Sequence, residues 1–198
     1  MKPKKINKLF FLILTILLIN TELLADPKEF ISKLTTDASK ILASNKSKDQ
    51  KMGELRNLAE ENVDINGIGM YSLGKYRKSL NESQITEYKT LFREYFLKSF
   101  SSRLSEYTDP KINVLSQEII SKKYTIVSSV LEADEKRPEI KIDWRVYTIN
   151  PEKPLVRDLI IEGLSLARTQ REEFNSVIQN GDGNIEVLFS NLREFIIN

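Results

Sequence analysis

The sequence predicts an α+β domain with helices at both ends and an antiparallel sheet between them. Apolar residues recur every three to four positions before residue 107 and after residue 163, and at every second position between residues 112 and 161. The links between the alternating segments are short, and short links join antiparallel neighbours. We therefore expect N-terminal helices, a four-stranded curved antiparallel sheet and C-terminal helices, arranged as a single domain.

Amphipathic helices account for the first part of this order. The first is predicted over residues 26–42, where Phe30 and Leu34 begin an apolar stripe at helical spacing. The second is predicted over residues 50–62 and the third over residues 65–76. Glycines within the third helix weaken its helical pattern.

The strongest helix signal begins at Asn81 and extends to about Tyr107. The Asn81 side chain can accept a hydrogen bond from a free amide, while Gln84 completes a capping box. Large apolar side chains then recur four residues apart, which gives this helix one broad aromatic face. The members of this stripe are Tyr88, Phe92, Phe96, Phe100 and Leu104.

The apolar period then changes to two, which predicts strands. The four predicted strands cover residues 112–114, 124–131, 140–146 and 155–161. Alternation is clearest in the third, where Ile142, Trp144 and Val146 are separated by charged residues.

Helical spacing returns after Gly163 and continues to the end of the chain. Thr169 and Glu172 are placed to form a second capping box, and Gly181 is a suitable residue to end that helix. A last helix is predicted over residues 184–196.

The first 25 residues have the features of a secretory signal peptide. Lysines cluster before residue 9, and residues 9–19 form an apolar run that is too short to span a bilayer. We expect cleavage after about Ala25, which leaves residues 26–198; the alternative is an uncleaved N-terminal anchor. Cleavage removes four lysines and one glutamate from the 30 basic and 28 acidic residues, so the net charge becomes about −1. A nucleic-acid partner is therefore not expected.

Two residue types are absent from the composition, and each absence excludes a class of catalytic or metal-binding site. The chain has no cysteine, which excludes disulfides, thiol nucleophiles and thiolate metal sites. It has no histidine, which excludes histidine-dependent triads and removes the commonest transition-metal ligand. Carboxylates remain possible acid and base groups, and Asp143, Asp158 and Glu162 all fall on or beside predicted strands.

The aromatic stripe allows two interpretations from periodicity alone. It can be ordinary core that faces Ile142, Trp144 and Val146 of the sheet, or it can form one wall of a cavity between helix and sheet. Periodicity shows which side chains share a face, and not how completely that face is covered.

Three stretches share their order and spacing with a known family. They are VDINGIGMYSLGKYRKSL at 63–80, SQITEYKTLFREYFLKSFSSRLSEY at 83–107, and DWRVY at 143–147 joined with VRDLIIEGLSLARTQREEF at 156–174. The most specific part has the pattern Asp-x-x-x-Glu-Gly-x-Ser, formed by Asp158, Glu162, Gly163 and Ser165. Together these stretches resemble the MlaC-like family, also called the toluene-tolerance family, of periplasmic phospholipid-binding proteins.

This resemblance implies a carrier and not an enzyme. It implies a periplasmic, monomeric substrate-binding component that shuttles phospholipid between an outer-membrane lipoprotein complex and an inner-membrane ABC transporter complex with MCE domains. The acyl chains would occupy an apolar cavity between the sheet and the helices of a single lipid-binding domain, residues 26–198. Bound phospholipid would be cargo, with no cofactor, no metal and no catalytic residue.

The resemblance also implies where the cavity walls lie. The predicted lipid-binding residues are Tyr71, Leu73, Phe92, Phe96, Phe100, Leu104, Trp144, Val146 and Ile160, with Leu164 and Leu166 near the mouth. The remaining motif residues Gly74, Asp158, Gly163 and Ser165 are expected to be structural, with turns at the glycines and local hydrogen bonds at the other two.

Two other functions compete with the carrier. A small cone-shaped α+β enzyme acting on an apolar substrate would need Asp143 or Asp158 buried beside a donor such as Tyr124. An interaction module would instead have a completely filled interior.

Overall fold

A computed structural model of the chain describes residues 26–135 and 137–198. The predicted signal peptide lies outside the described residues. The helices are α1 (Pro27–Ala43), α2 (Lys48–Asn62), α3 (Ile65–Ser72), α4 (Glu82–Leu104), α5 (Leu166–Asn180) and α6 (Ile185–Ile197), with a 3-10 turn at Tyr76–Lys78. The strands are β1 (Ile112–Ser121), β2 (Tyr124–Leu131), β3 (Ile140–Tyr147), β4 (Leu155–Ile161) and β5 (Leu164–Ser165). Within the described part of the chain, no helix is both long and apolar enough to cross a membrane.

The sheet is antiparallel throughout, and its strands follow one another in chain order. This confirms the predicted α+β class, with one more strand than expected. The added strand β5 is two residues long, which is too short to show a period in sequence. It folds back on β4 through Glu162 and Gly163, whose φ angles of 49° and 82° are in the left-handed region. The turn predicted at Gly163 is therefore confirmed.

Strand β1 is longer than predicted. It continues to Ser121 rather than stopping near Val114, and its register against β2 shifts between Val114 and Ser116. That irregularity interrupts the alternation of apolar residues, and most of the strand beyond it is exposed at the sheet edge. The hydrophobic pattern that identifies a half-buried strand is therefore missing there.

Local capping explains where the helices begin, with one correction. The predicted box at Asn81 is present, because the Asn81 side chain accepts from the amide of Gln84 and Gln84 reaches back. The box predicted at Thr169 is wrong: α5 begins earlier, and its N-cap is Ser165, which accepts from the amide of Arg168. Thr169 lies inside the helix and donates back to the carbonyl of Ser165. Helix α4 ends at Leu104 rather than near residue 107.

The buried side chains form two separate clusters. The helical cluster joins α4, α5 and α6 and is centred on Tyr88, Phe92, Phe174 and Phe189. The sheet cluster packs α1 against the sheet and consists of Ile31, Val127, Val146 and Val156, with Phe30, Leu34, Val63, Val114, Trp144 and Leu159 around it. Val63, which follows α2, packs against both clusters.

Strand register decides which sheet residues belong to the sheet cluster. Trp144 is paired with Val127 on one side and with Leu159 on the other, so these side chains share the sheet face that α1 covers. Asp143 and its partner Ile160 point to the opposite face because side chains alternate along a strand. We call the side that carries Trp144 the α1 face.

Candidate functional site

The aromatic stripe of α4 divides into two halves that differ in burial. Its closed half consists of Tyr88 and Phe92, whose exposed fractions are 0 % and 2 %. Phe92 packs edge-on against Phe174 of α5, and Tyr88 packs against Phe189 of α6, with ring centroids 6.1 Å apart in both pairs. Of the two interpretations of the stripe, core that faces the sheet does not describe the closed half, which packs against other helices.

The polar end of Tyr88 is satisfied inside the closed half. Its hydroxyl donates a 2.9 Å hydrogen bond to the carbonyl of Gly69 on α3. Burial raises the pKa of Tyr88 above its ordinary value, because water no longer solvates the phenolate. The closed half is thus a completed piece of core.

The open half of the stripe consists of Phe96, Phe100 and Leu104. All three side chains are partly exposed, although they continue the same helical face. Phe96 and Phe100 pack against the edge of the helical cluster and stack on each other, with centroids 5.8 Å apart and an interplanar angle of 9°. Two parallel rings therefore present a flat apolar surface that the helices do not cover fully.

The α1 face of the sheet offers a second apolar surface that is partly covered. Val146 is buried, whereas Trp144 is only half-buried. The Trp144 Nε1 donates a 2.8 Å hydrogen bond to Ser129 Oγ, which in turn donates to the carbonyl of Ile142. The indole ring is held in place and its only polar atom is satisfied, so what it presents outward is apolar.

The predicted lipid-binding residues are distributed over several environments. Leu73 and Phe92 are buried in the helical cluster, while Trp144 and Val146 belong to the sheet cluster. Ile160 lies on the sheet face opposite Trp144. Tyr71, Leu164 and Leu166 are exposed. The structure thus groups Phe96 with Phe100 and Trp144 with Val146, and the complete set of walls stays a prediction.

Two open grooves of about 400 Å³ each run beside α1 in the described residues. Most of the residues that line the grooves are polar or charged, such as Thr35 and Ser39 in one groove and Asn113 in both. None of the predicted wall residues lines either groove. The apolar cavity between sheet and helices that the resemblance implies therefore stays a prediction.

Asp158 is a buried carboxylate whose partners are structural. Its Oδ2 accepts a 2.6 Å hydrogen bond from Ser165 Oγ, and its Oδ1 accepts a 3.0 Å bond from the Ala167 amide. Arg145 Nη1 lies 3.6 Å from the same carboxylate. Strand β4 is thereby tied to the first turn of α5, which agrees with the local hydrogen bonds predicted at Asp158 and Ser165.

The enzyme alternative required one of two carboxylates beside a donor such as Tyr124. Asp158 is buried, but it is bonded to Ser165 and Ala167, as described, whereas the Tyr124 hydroxyl accepts a 2.9 Å hydrogen bond from Arg157. Asp143 is only half-buried. The particular acid and donor arrangement that this alternative needed is not formed by these groups. Among the described residues, no cluster of carboxylates could hold a metal ion.

Arg157 is a connecting residue that sequence reasoning missed. It donates to Asp64, the N-cap of α3, at 2.5 Å, and its guanidinium lies 3.7 Å from the centroid of the Tyr147 ring. Burial lowers the pKa of Arg157, but hydrogen bonds with Tyr124 and Asp64 outweigh it and raise that pKa overall. The ion pair spans 93 positions, so no local pattern could have indicated it.

Comparison with known proteins identifies a family and a solved structure to which the chain is similar. A family model described as "MlaC protein" matches residues 32–194. Among solved structures, the chain is similar to a phospholipid-binding protein from Ralstonia solanacearum, determined in complex with a phospholipid. The TM-score is 0.72, and the match covers 87% of this chain and 98% of that one at 17% sequence identity, which shows a shared fold. No curated protein matches the chain.

Proposed function

We propose that this chain, which belongs to the MlaC family, binds a phospholipid in the periplasm and carries it between the two membranes. The observation that carries the proposal is the open half of the α4 stripe. Phe96, Phe100 and Leu104 continue a face that is fully buried one turn earlier, yet they remain partly exposed. An apolar surface of this kind in a monomeric protein is typical of a site that another molecule covers.

Free energy explains why a carrier is needed at all. A two-tailed phospholipid has roughly 30 methylenes, and exposing each to water costs about 0.8 kcal/mol. The total exceeds about 20 kcal/mol, so a lipid does not cross an aqueous compartment unaided at a useful rate. A protein that covers the tails removes most of this cost.

Two apolar surfaces from different layers support the assignment of the binding site. The stacked rings of Phe96 and Phe100 come from the helical layer, and Trp144 comes from the α1 face of the sheet. Val63 packs against both clusters and therefore lies where the two layers meet. In this proposal the acyl chains lie between the open half and the α1 face.

A carrier fits the polar groups better than an enzyme does. Every buried side-chain oxygen and nitrogen of the described residues has a hydrogen-bond partner. The buried carboxylate of Asp158 is one of them, since Ser165 and the Ala167 amide both donate to it. A catalytic acid or base needs a proton site directed at substrate, and the partners of Asp158 instead hold α5 against the sheet. Phospholipid is then cargo rather than cofactor.

The proposed route joins two membrane partners. The chain would receive or deliver phospholipid at an outer-membrane lipoprotein complex and at an inner-membrane ABC transporter complex with MCE domains. Family membership supports this route, and the predicted signal peptide of residues 1–25 is what export to the periplasm would use.

Lipid content of the purified protein tests the proposal. The full chain is expressed in a bacterium, purified from the periplasm without detergent, extracted with organic solvent and analysed by mass spectrometry. We expect about one phospholipid per protein, since a carrier that lowers the exposure of two tails retains its cargo through purification. A folded protein whose extract is free of lipid, and which takes none from vesicles, would contradict the proposal.

A pair of matched variants locates the site. Phe96→Asp places a charge in the proposed tail site and is expected to lower retained lipid at least tenfold, because burying an unpaired charge against acyl chains is costly. Phe195→Asp makes the same change at a phenylalanine of α6 that is 41% exposed and outside the proposed site. It is expected to keep its lipid, and circular dichroism checks that both variants retain their helices.

A further inference from the structure

One surface of the molecule carries cations without carboxylate partners. Residues 71–80 and 164–171 contain Lys75, Arg77, Lys78, Arg168 and Arg171 and no aspartate or glutamate, and all five side chains are exposed. None of the five takes part in an ion pair among residues 26–135 and 137–198. We call these residues the basic surface.

Several arginines elsewhere in the fold are paired with carboxylates. Arg56, Arg93 and Arg193 each pair with a glutamate on a neighbouring helix. Three exposed glutamates flank the second segment, at positions 162, 172 and 173, so the five cations leave a local excess of about two positive charges. The mature chain as a whole has a net charge of about −1, so this surface is a positive region on a slightly acidic protein. Such an excess attracts anions over a Debye length of about 8 Å at physiological salt.

Side-chain contacts hold the two segments of this surface together. Helix α3 packs on α5, and the Arg171 guanidinium lies over the Tyr71 ring, 5.3 Å from its centroid. A Cβ on Gly74 would lie 2.9 Å from Arg171 Nε, so the arginine passes directly over the glycine backbone. Gly74 has a φ of 55°, which favours glycine at this turn. The cations are therefore displayed on a built surface rather than on a loose loop.

Apolar side chains protrude beside the cations. Leu164, Leu166 and Tyr71 have exposed fractions of 69%, 45% and 38%. Leu164 and Leu166 flank Ser165, the N-cap of the helix that carries Arg168 and Arg171. Protruding leucines and an aromatic ring among unpaired cations are the combination by which proteins bind anionic lipid surfaces: the apolar groups enter the interface and the cations meet the phosphates.

We propose that the basic surface docks on the anionic headgroups of a phospholipid bilayer, with Leu164 and Leu166 entering the interface. The charge of the five cations is complementary to such a bilayer, and a fluid lipid surface accepts protruding leucines without a preformed groove. This inference goes beyond carriage of a single lipid. It would bring the carrier directly against a membrane, independently of whether cargo is bound.

Vesicle flotation of the full chain purified from the periplasm tests this docking. We expect the protein to float with vesicles that contain phosphatidylglycerol, and not with vesicles of phosphatidylcholine alone. High salt should release it because screening weakens attraction to anionic lipid. The double variant Arg168→Gln, Arg171→Gln should lower the partition coefficient about 25-fold, since each cation near an anionic surface contributes about fivefold.

The matched control removes the same charge elsewhere. Lys33 and Lys40 lie on α1, which packs on β1 and β2, whereas the basic surface adjoins β4 and β5. The double variant Lys33→Gln, Lys40→Gln should therefore change binding less than about threefold, because these lysines lie far from the docked surface. A second test pair, Lys75→Gln and Lys78→Gln, serves if the arginine variant fails to fold, and it should also lower binding about 25-fold.

Three outcomes would overturn the docking proposal. In the first, the wild-type protein does not bind anionic vesicles. In the second, the α1 control loses as much vesicle binding as the basic-surface variants do. In the third, the basic-surface variants bind vesicles normally but no longer bind an acidic protein partner. Lipid content of each variant is measured by mass spectrometry in parallel. A protein with cargo and no vesicle binding contradicts docking alone, while a protein that floats but holds no lipid contradicts the carrier function alone.

Discussion

The two halves of the α4 stripe have the same chemistry and spacing but different surroundings. Tyr88 and Phe92 are enclosed by rings from α5 and α6. Phe96 and Phe100 stack on each other and remain partly exposed. The difference arises from the neighbouring elements, because the aromatic residues of α5 and α6 that close the first half do not cover the second. An amphipathic helix can therefore supply core at one end and a partly exposed apolar surface at the other.

The largest expected effect compares the same truncation in both halves. Phe92→Ala should lower the free energy of unfolding of the lipid-free protein by about 3 to 5 kcal/mol, because it leaves a cavity in a closed cluster. Phe100→Ala should cost only about 1 to 2 kcal/mol, since less of its surface is buried. Urea denaturation measures both. Equal losses would mean that the two halves do not differ in the way described.

The link between the sheet and α5 gives the next largest effect. Asp158→Asn removes a buried carboxylate that accepts from Ser165 and the Ala167 amide, and should cost about 2 to 3 kcal/mol of stability. Asp143→Asn is the control, because its half-buried side chain forms no hydrogen bond or ion pair with the described residues, and should change stability by under about 0.5 kcal/mol. The opposite ranking in urea denaturation would show that Asp158 does not hold α5 in place.

Glycine substitutions test whether the closed half has spare room. A Cβ on Gly69 would lie 2.6 Å from Cδ1 of Phe92, so Gly69→Ala should destabilise by about 1 to 3 kcal/mol through overpacking. A Cβ on Gly53 in α2 meets nothing within 4 Å, and Gly53→Ala should instead stabilise by about 0.5 to 1 kcal/mol. Thermal unfolding separates the two signs, and a tolerated Gly69→Ala would indicate a loosely packed cluster.

The smallest effect concerns the polar end of Tyr88. Tyr88→Phe removes a hydrogen bond to the Gly69 carbonyl and should cost about 1 kcal/mol near neutral pH. Burial raises the pKa of Tyr88 above the value of about 10 that tyrosine has in the unfolded chain. The contribution of neutral Tyr88 to folding stability is therefore complete below about pH 10 and is lost as the pH rises above it. The stability of the variant should therefore fall less steeply than that of the wild type between about pH 9 and 11. Parallel curves would contradict this account of Tyr88.

The fold could be predicted largely from the apolar period. A period of 3.6 or 2 identifies elements whose partners lie on one side, and side-chain chemistry at Asn81 and Gln84 located the start of α4. Strand β5 and the start of α5 were missed because they depend on Asp158, which anchors Ser165 from another strand. A long-range partner of this kind leaves no periodic mark in the sequence.

The site was harder to predict than the fold. Periodicity placed Phe92 and Phe96 on one helix face, but only the packing of α5 and α6 distinguishes the closed half from the open one. Strand register similarly separates Ile160 from Trp144, although both were predicted as walls from the same family segment. Coverage and register are properties of assembled elements, so the residues alone do not determine them.

Quenching of tryptophan fluorescence by brominated phospholipid tests the central claim most directly. Trp144 is the one tryptophan of the chain, so its emission reports on the α1 face without interference. Protein loaded with phospholipid brominated along its acyl chains should lose most of its emission relative to protein loaded with the unbrominated lipid, because the bromines contact the indole. Unchanged emission from protein that mass spectrometry shows to hold brominated lipid would contradict the claim that the tails lie between the open half and the sheet.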